Sequence, residues 1–160
     1  MANIKISGFE QYETLLRNLE KSTEDIAKRG VYEGAKVVAD AVKEQISDIS
    51  SEGPSDYERK RREKQKEGLK KSLGISPMRN DNGFVNTLVG FDDYNDIKTK
   101  KHPGGQPNAM VARIFNSGTS HNKKQPFFKR AINQSKEECK NAMALEVDKC
   151  IIAIEKGGRM

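Results

Sequence analysis

Hydrophobic residues follow a helical period through the N-terminal third of the chain. Five of them fall on one face of a short amphipathic helix, which Ser7 and Glu10 would open as a capping box. These five are Phe9, Tyr12, Leu15, Leu16 and Leu19. A polar break at residues 21–23 predicts the end of this helix. A longer helical pattern then covers about 26–49 and ends at the Gly- and Pro-containing segment 50–56.

Two glycines, Gly30 and Gly34, lie one turn apart within the longer pattern. They lower helix propensity but leave room for another backbone to approach closely. Near the other end of the chain, a stripe at helical spacing predicts one long C-terminal helix, which Gly157 and Gly158 end. The stripe consists of Phe128, Ala131, Ile132, Ser135, Cys139, Ala142, Met143, Val147, Cys150, Ile151 and Ile154.

The hydrophobic period becomes that of strands in the middle of the chain. A strand from Leu69 to Met78, a turn at residues 80–83 and a returning strand from Phe84 to Phe91 predict a hairpin. Residues at about 92–107 have turn formers and no periodicity, so we expect a loop there. The predicted fold class is α+β, with N-terminal helices, a central antiparallel hairpin or small sheet, and a long C-terminal helix.

The segment 109–131 predicts a corner between two helices. Hydrophobic residues at helical spacing around Ile114 and Phe115 indicate a short helix, which Pro107 suits at its first turn. Gly118 suits the left-handed residue that closes it, and Pro126 opens the next helix. The residues that we expect to build this structural corner are Gly118, Thr119, Pro126, Phe127, Phe128 and Ala131. A plainer alternative is that they are ordinary turn and core residues.

The same segment resembles the signature of the gene-product-ten-like family of phage tail components. The matching positions are Ala112, Ile114, Phe115, Gly118, Thr119, Pro126, Phe127 and Ala131. Asn116 and Ser117 depart from the signature, because they stand where the family has Glu and an aromatic residue. The resemblance extends to Gly8, Phe9, Glu10 and Leu15 or Leu16 near the start, and to Gly68, Leu69, Ser72 and Leu73. The basic segment after Pro54 and the loop before Ala109 are further departures.

This resemblance implies a virion assembly protein of a phage or prophage. Such a neck or tail-completion component joins the tail to the head by protein–protein binding, in a ring of copies. Its partners would be other neck and tail proteins. We would then expect the chain in the bacterial host cytoplasm during assembly and afterwards in the virion neck or tail. In agreement with that location, the N-terminus lacks signal-peptide features and no hydrophobic run is long enough to span a bilayer.

Composition allows one domain with a modest core. The chain has 160 residues, of which 34% are hydrophobic and none is Trp, and its net charge is +6. Part of the excess charge lies in an insertion at about 52–67, which we expect to be mobile and to contact DNA weakly. The candidate DNA-facing residues are Arg59, Lys60, Arg61, Arg62, Lys64 and Lys66. The alternative function is therefore a sequence-nonspecific nucleic-acid-binding module, with Tyr57 available for stacking.

The residue types of catalytic and metal sites are sparse and poorly spaced. The two histidines, His102 and His121, lie in polar loops, and the acidic cluster at residues 92–96 lacks the pattern of a calcium loop. Cys139 and Cys150, about 16 Å apart along one helix, cannot form a disulfide with each other. We therefore expect no catalytic, cofactor-binding or metal-binding residues and no enzymatic activity. A weaker alternative is a small basic nuclease that uses His121 and an acidic partner.

Overall fold

The computed structural model describes residues 9–157 and has the predicted α+β class. Its helices are α1 (Glu10–Ser47), α2 (Asp56–Ser72), α3 (Asn108–Ser117) and α4 (Phe127–Glu155). Its strands, all short, are β1 (Leu73–Ile75), β2 (Arg79–Asp81), β3 (Phe84–Asn86) and β4 (Val89–Phe91). Within residues 9–157, none of the helices has both the length and the hydropathy that crossing a membrane would need.

α1 is one continuous helix, so the predicted break at residues 21–23 is wrong. The break contains neither Gly nor Pro, and the Thr23 hydroxyl donates to the Leu19 carbonyl within the helix, at 2.8 Å. Leu19 also packs against the hydrophobic cluster that α1 shares with α4, which stabilises helix on both sides of the polar residues. Ser7, the first residue of the predicted capping box, lies outside the described residues.

α1 and α4 pack as an antiparallel pair that approaches most closely at the two glycines. A Cβ atom on Gly34 would lie 2.6 Å from Met143 Cγ and 3.0 Å from Cys139 Sγ. One on Gly30 would lie 3.0 Å from Val147 Cγ2. The expected close approach is therefore confirmed. We call residues 10–34 of α1 together with residues 139–155 of α4 the helical arm.

The hairpin is present, but each of its two strands is divided into two short strands: β1 and β2 on the way out, β3 and β4 on the return. β2 pairs with β3 around a turn in which Asn82 and Gly83 have φ angles of 55° and 86°. β1 pairs with β4 in the register Leu73↔Phe91. The first strand begins at Leu73 rather than Leu69, because Leu69 is fully buried on the last turns of α2.

The basic segment is helical, which corrects our expectation of a mobile insertion at about 52–67. Ser55 caps α2 by accepting a hydrogen bond from the Glu58 backbone N–H at 3.2 Å. Leu69 anchors the other end of α2 in the core. The sequence has few hydrophobic residues here, but one well-placed leucine, a cap and the polar contacts described below hold the helix in place.

The main core lies where all four helices meet. Its fully or nearly fully buried members are Val42, Ile46, Ile49, Leu69, Val111, Ala112, Phe115, Phe127 and Ala131. We call this end of the molecule the head: the C-terminal part of α1, together with α2, α3 and the start of α4. A smaller cluster of Ile26, Cys150 and Ile154 lies in the helical arm. Ile132, which we placed in the buried stripe of α4, is instead 53% exposed, because Ala131 and Ser135 occupy the core-facing positions.

Residues 92–107 form no helix or extended strand, and buried amides hold them against the head. An isolated bridge joins Tyr94 and Pro107, and the backbone N–H of Asn95 donates to the Gln106 carbonyl at 2.9 Å. The side chains of Asn95, Gln106 and Asn108 are buried. The predicted loop is thus irregular but fixed by hydrogen bonds.

Candidate functional site

The predicted corner turns the chain from α3 into α4. Gly118 ends α3 with a φ angle of 75°, and its N–H donates to the Ile114 carbonyl at 2.9 Å. A Cβ atom at Gly118 would lie 2.9 Å from the Lys124 backbone nitrogen and 3.0 Å from the Asn122 carbonyl oxygen. The turn therefore needs glycine both for its backbone angle and for its space.

Thr119 closes the loop of the corner on itself. Its backbone N–H donates to the Asn122 carbonyl at 2.9 Å, and the Asn122 N–H donates back to the Thr119 carbonyl at 3.3 Å. The Thr119 hydroxyl oxygen also accepts hydrogen bonds from the backbone N–H groups of His121 and Asn122. Gly118 and Thr119 therefore both have a structural role in the turn.

Three further hydrogen bonds fasten the corner to its neighbours. The Gln125 backbone N–H donates to the Phe115 carbonyl at 2.9 Å, and the Phe128 N–H donates to Asn116 Oδ1 at 3.3 Å. The side-chain oxygen of Gln125 accepts from the Ser50 backbone N–H at 2.8 Å. Asn116 thus bonds to the start of α4 from the position where the family signature has Glu.

Aromatic packing completes the corner. Phe127 is fully buried, and its ring stacks on that of half-buried Phe128 with centroids 4.6 Å apart. Phe91 of β4 contacts both rings edge-on, at 6.3 and 5.6 Å. Pro126 precedes the helix with a φ angle of −75°, and Ala131 is buried one turn further on. All six predicted corner residues thus lie in one connected structure.

The candidate DNA-facing residues lie on α2, but many of their charges are used within the protein. Arg59 pairs with Asp56 at 2.8 Å, and Arg61 lies 3.9 Å from Glu58. Arg62 donates to the Glu52 carbonyl and to Asn122 Oδ1 of the corner loop. Lys60 and Lys64 are exposed.

Lys66 is the most deeply engaged of these residues. Its Nζ donates to the carbonyl oxygens of Ser47, at 2.8 Å, and Ile49, at the C-terminal end of α1. Cations are favourable at that end of a helix, where backbone carbonyls lack partners. Burial lowers the pKa of Lys66, and the neighbouring charge of Lys70 lowers it further. Lys66 therefore joins α2 to α1 and is half-buried between them.

A polar cavity of about 270 Å³ lies between α2 and the loop at residues 93–96. Its lining combines lysines 64 and 71 with Glu67, Asp93 and Asp96. Behind it, Asn95 Nδ2 donates to Asn108 Oδ1 at 3.4 Å. These buried amides bind one another, so the cavity has a rigid wall of fixed polar groups. No sequence pattern predicts this amide cluster, because Asn95 and Asn108 meet only through the fold of the irregular loop between them.

The residues considered for catalysis do not come together. His121 is exposed in the corner loop, and His102 is half-buried in a tight turn with Thr99. Both cysteines are free thiols, with Cys150 buried and Cys139 half-buried. In the part of the chain that the structure describes, no group of three or more His, Cys, Asp or Glu side chains is placed to hold a metal ion.

An exposed hydrophobic stripe at the end of the helical arm away from the main core was not expected. The first turns of α1 were predicted to bury one face, but only Leu15 and Leu19 pack against the arm cluster. Phe9, Tyr12 and Leu16 are 66%, 65% and 65% exposed. They follow i, i+3, i+7 spacing and so form a second stripe along the same end of the helix.

Comparisons with known protein families, with curated proteins and with solved structures found no match.

Proposed function

We propose that this chain is a virion assembly protein of a phage or prophage, a neck or tail-completion component that joins tail to head. It acts by protein–protein binding, in a ring of copies with other neck and tail proteins as neighbours. The observation that carries the proposal is the corner. Its Gly-Thr and Pro-Phe pairs, on which the family resemblance rests, form one fixed structure that docks α3 on α4.

The exposed stripe on the helical arm supports a binding role. Phe9, Tyr12 and Leu16 together present a hydrophobic surface at the far end of the arm from the main core. Exposed hydrophobic surface that lies outside both core clusters of the described residues favours a role in contacting partner proteins. Aromatic residues are also enriched at the centres of protein interfaces.

Deletion of the gene in a prophage tests the proposal. Capsids and tails are polymers of other proteins, so the deletion should still yield DNA-filled heads and separate tails after induction. Electron micrographs would count joined and separate particles, and expression of the wild-type chain from a plasmid should restore joining. Normal joined particles in the deletion strain would refute the head-tail role.

A further inference from the structure

The longest acid-free stretch of the chain runs from residue 97 to residue 136. It contains nine Lys or Arg residues and not one Asp or Glu. It covers the end of the irregular loop, all of α3, the corner and the first turns of α4. All nine basic residues are exposed. The stretch therefore carries nine positive charges and no negative ones.

The basic side chains of this stretch are more accessible to a ligand than those of α2. None of the nine basic residues forms an ion pair with any residue of the described range 9–157. In contrast, four of the eight Lys and Arg residues at 59–71 are partly buried, and two are paired with acids on the same helix. Like charges held at the surface without counter-charges create a positive potential that attracts anions.

The corner holds the largest local group of these basic residues. Lys123, Lys124, Lys129 and Arg130 lie within eight consecutive residues, in the corner loop and the first turn of α4. The hydrogen bonds of Thr119 and Gln125 hold the backbone of the loop, so little backbone entropy is lost when these residues bind. We call these four residues the basic corner.

We propose that the basic corner binds the phosphate backbone of duplex nucleic acid without reading its sequence. The eight residues include part of a loop and a helical turn, so they span less than an extended chain of about 25 Å, a length of at most about seven phosphates along one strand. Ammonium and guanidinium groups bind phosphate oxygens and gain affinity by releasing counterions. The three phenylalanines of the stretch are buried or half-buried, so their rings are not available to stack on bases and the contacts are mainly to phosphates.

Nucleic acid fits this surface better than an acidic protein does. Seven of the nine basic residues in the stretch are Lys, and Lys is depleted at protein–protein interfaces. The competing occupant within this protein would be the helical arm of a second copy, in which acids outnumber bases nine to six. That excess is small, and three of the arm's six bases already pair with its own acids: Arg17 with Glu13, Lys28 with Glu24 and Lys149 with Glu146.

The test compares two variants of the full chain with the same change in charge. In the corner variant, Lys123, Lys124, Lys129 and Arg130 are all changed to Gln. In the control variant, Arg59, Lys60, Lys64 and Lys71, the exposed basic residues of α2, are all changed to Gln. Each variant loses three Lys and one Arg. Binding to a fluorescent mixed-sequence DNA duplex of about 30 base pairs is measured between about 50 and 200 mM salt.

The wild type should bind, with an affinity that falls steeply as salt rises. The corner variant should lose at least about tenfold in affinity at the lowest salt, and its slope of log affinity against log salt should be shallower by about 3 to 4. The control variant should keep the wild-type slope to within about one. All three proteins should melt at the same temperature, because every changed residue is exposed.

Three outcomes would overturn the proposal: no binding by the wild type at the lowest salt, equal losses in both variants, or a loss only in the control variant. Sedimentation under the same conditions shows whether the basic corner mediates self-association of the chain instead. If the corner variant keeps DNA binding but loses self-association, the surface serves a second copy of the chain and not nucleic acid. The free chain is sufficient for these measurements, so their result is independent of the head-tail role.

Discussion

Gly34 sets how closely the two long helices can approach. A methyl group there would overlap Met143 Cγ and Sδ, at 2.6 and 2.8 Å. Alanine gains about 1 kcal/mol of helix propensity over glycine, while overpacking of this kind costs about 1 to 3 kcal/mol. We therefore predict that Gly34→Ala lowers the free energy of unfolding by about 1 kcal/mol, measured by urea denaturation.

A double-mutant cycle shows whether the overlap with Met143 causes the loss of stability in Gly34→Ala. In a Met143→Ala background the two closest atoms are gone and only Cys139 Sγ, at 3.0 Å, still lies near the added methyl group. Gly34→Ala should then no longer destabilise, and at most it gains the helix-propensity difference of about 1 kcal/mol. Gly74→Ala is a control, because nothing lies within 4 Å of its Cβ position. If Gly34→Ala stabilises the wild-type background as well, the helices do not meet at this residue.

Phe127 and Phe128 are adjacent in sequence but differ in burial. Phe127 is fully buried in the main core, and Phe128 covers it from the half-exposed side. We predict that Phe127→Ala costs about 3 to 5 kcal/mol and Phe128→Ala about half as much. Chemical denaturation of the two variants checks the order. Equal losses, or losses below about 1 kcal/mol in both, would contradict the corner as part of the core.

At the scale of elements, Lys66 connects α2 to the end of α1. Lys66→Met keeps the length and much of the packing of the side chain but removes both hydrogen bonds to backbone carbonyls. We predict a loss of about 1 to 2 kcal/mol in the free energy of unfolding. Lys64→Met is the matched control, because Lys64 is exposed on the same helix, and it should have an effect within about 0.5 kcal/mol.

The lowered pKa of Lys66 also predicts a pH dependence. Between its folded-state pKa and the ordinary value of 10.5, the unfolded chain holds more protons than the folded chain. The free energy of unfolding therefore rises with pH in that window. Lys66→Met lacks this rise, so the difference between wild type and variant should widen as pH increases from neutral towards 10.5. If the difference in free energy of unfolding narrows instead, burial does not disfavour the charged form of Lys66.

At the scale of the whole molecule, the two ends differ in surface chemistry. The head holds the main core and the basic corner, and the far end of the helical arm exposes Phe9, Tyr12 and Leu16. The long α1–α4 pair separates the two surfaces. If both proposals hold, the chain can contact a protein neighbour and a nucleic acid at the same time.

The arm stripe yields a prediction for assembly. Changing Phe9, Tyr12 and Leu16 together to Gln should barely alter the melting temperature, because all three are exposed and Gln keeps helix propensity. In the prophage deletion strain, this variant should fail to restore joined particles. The control variant changes Phe84 and Leu88, two exposed hydrophobic residues of the hairpin, to Gln and should restore them. The reverse result would place the binding surface on the hairpin instead.

The corner and the hairpin were predictable from sequence because local conformation determines them. Gly118 and Gly83 occupy backbone angles that few other residues adopt, and Pro126 suits the start of a helix. The continuity of α1 was not predictable, since the polar break at residues 21–23 is overridden by packing against α4. Local signals therefore identified most elements, but they split α1 in two and missed the helix α2, both of which tertiary contacts stabilise.

The sequence by itself determined the fold class, the corner residues and the close approach at Gly30 and Gly34, because each follows from local backbone preferences or hydrophobic period. Only the tertiary structure decided which charges and which hydrophobic side chains remain available. Lys66 is used to bind the end of α1, whereas Lys124 is left exposed, although both belong to basic segments. Leu15 is packed and Leu16 is not. The burial and pairing of a side chain depend on residues distant along the chain, so local sequence patterns do not predict them.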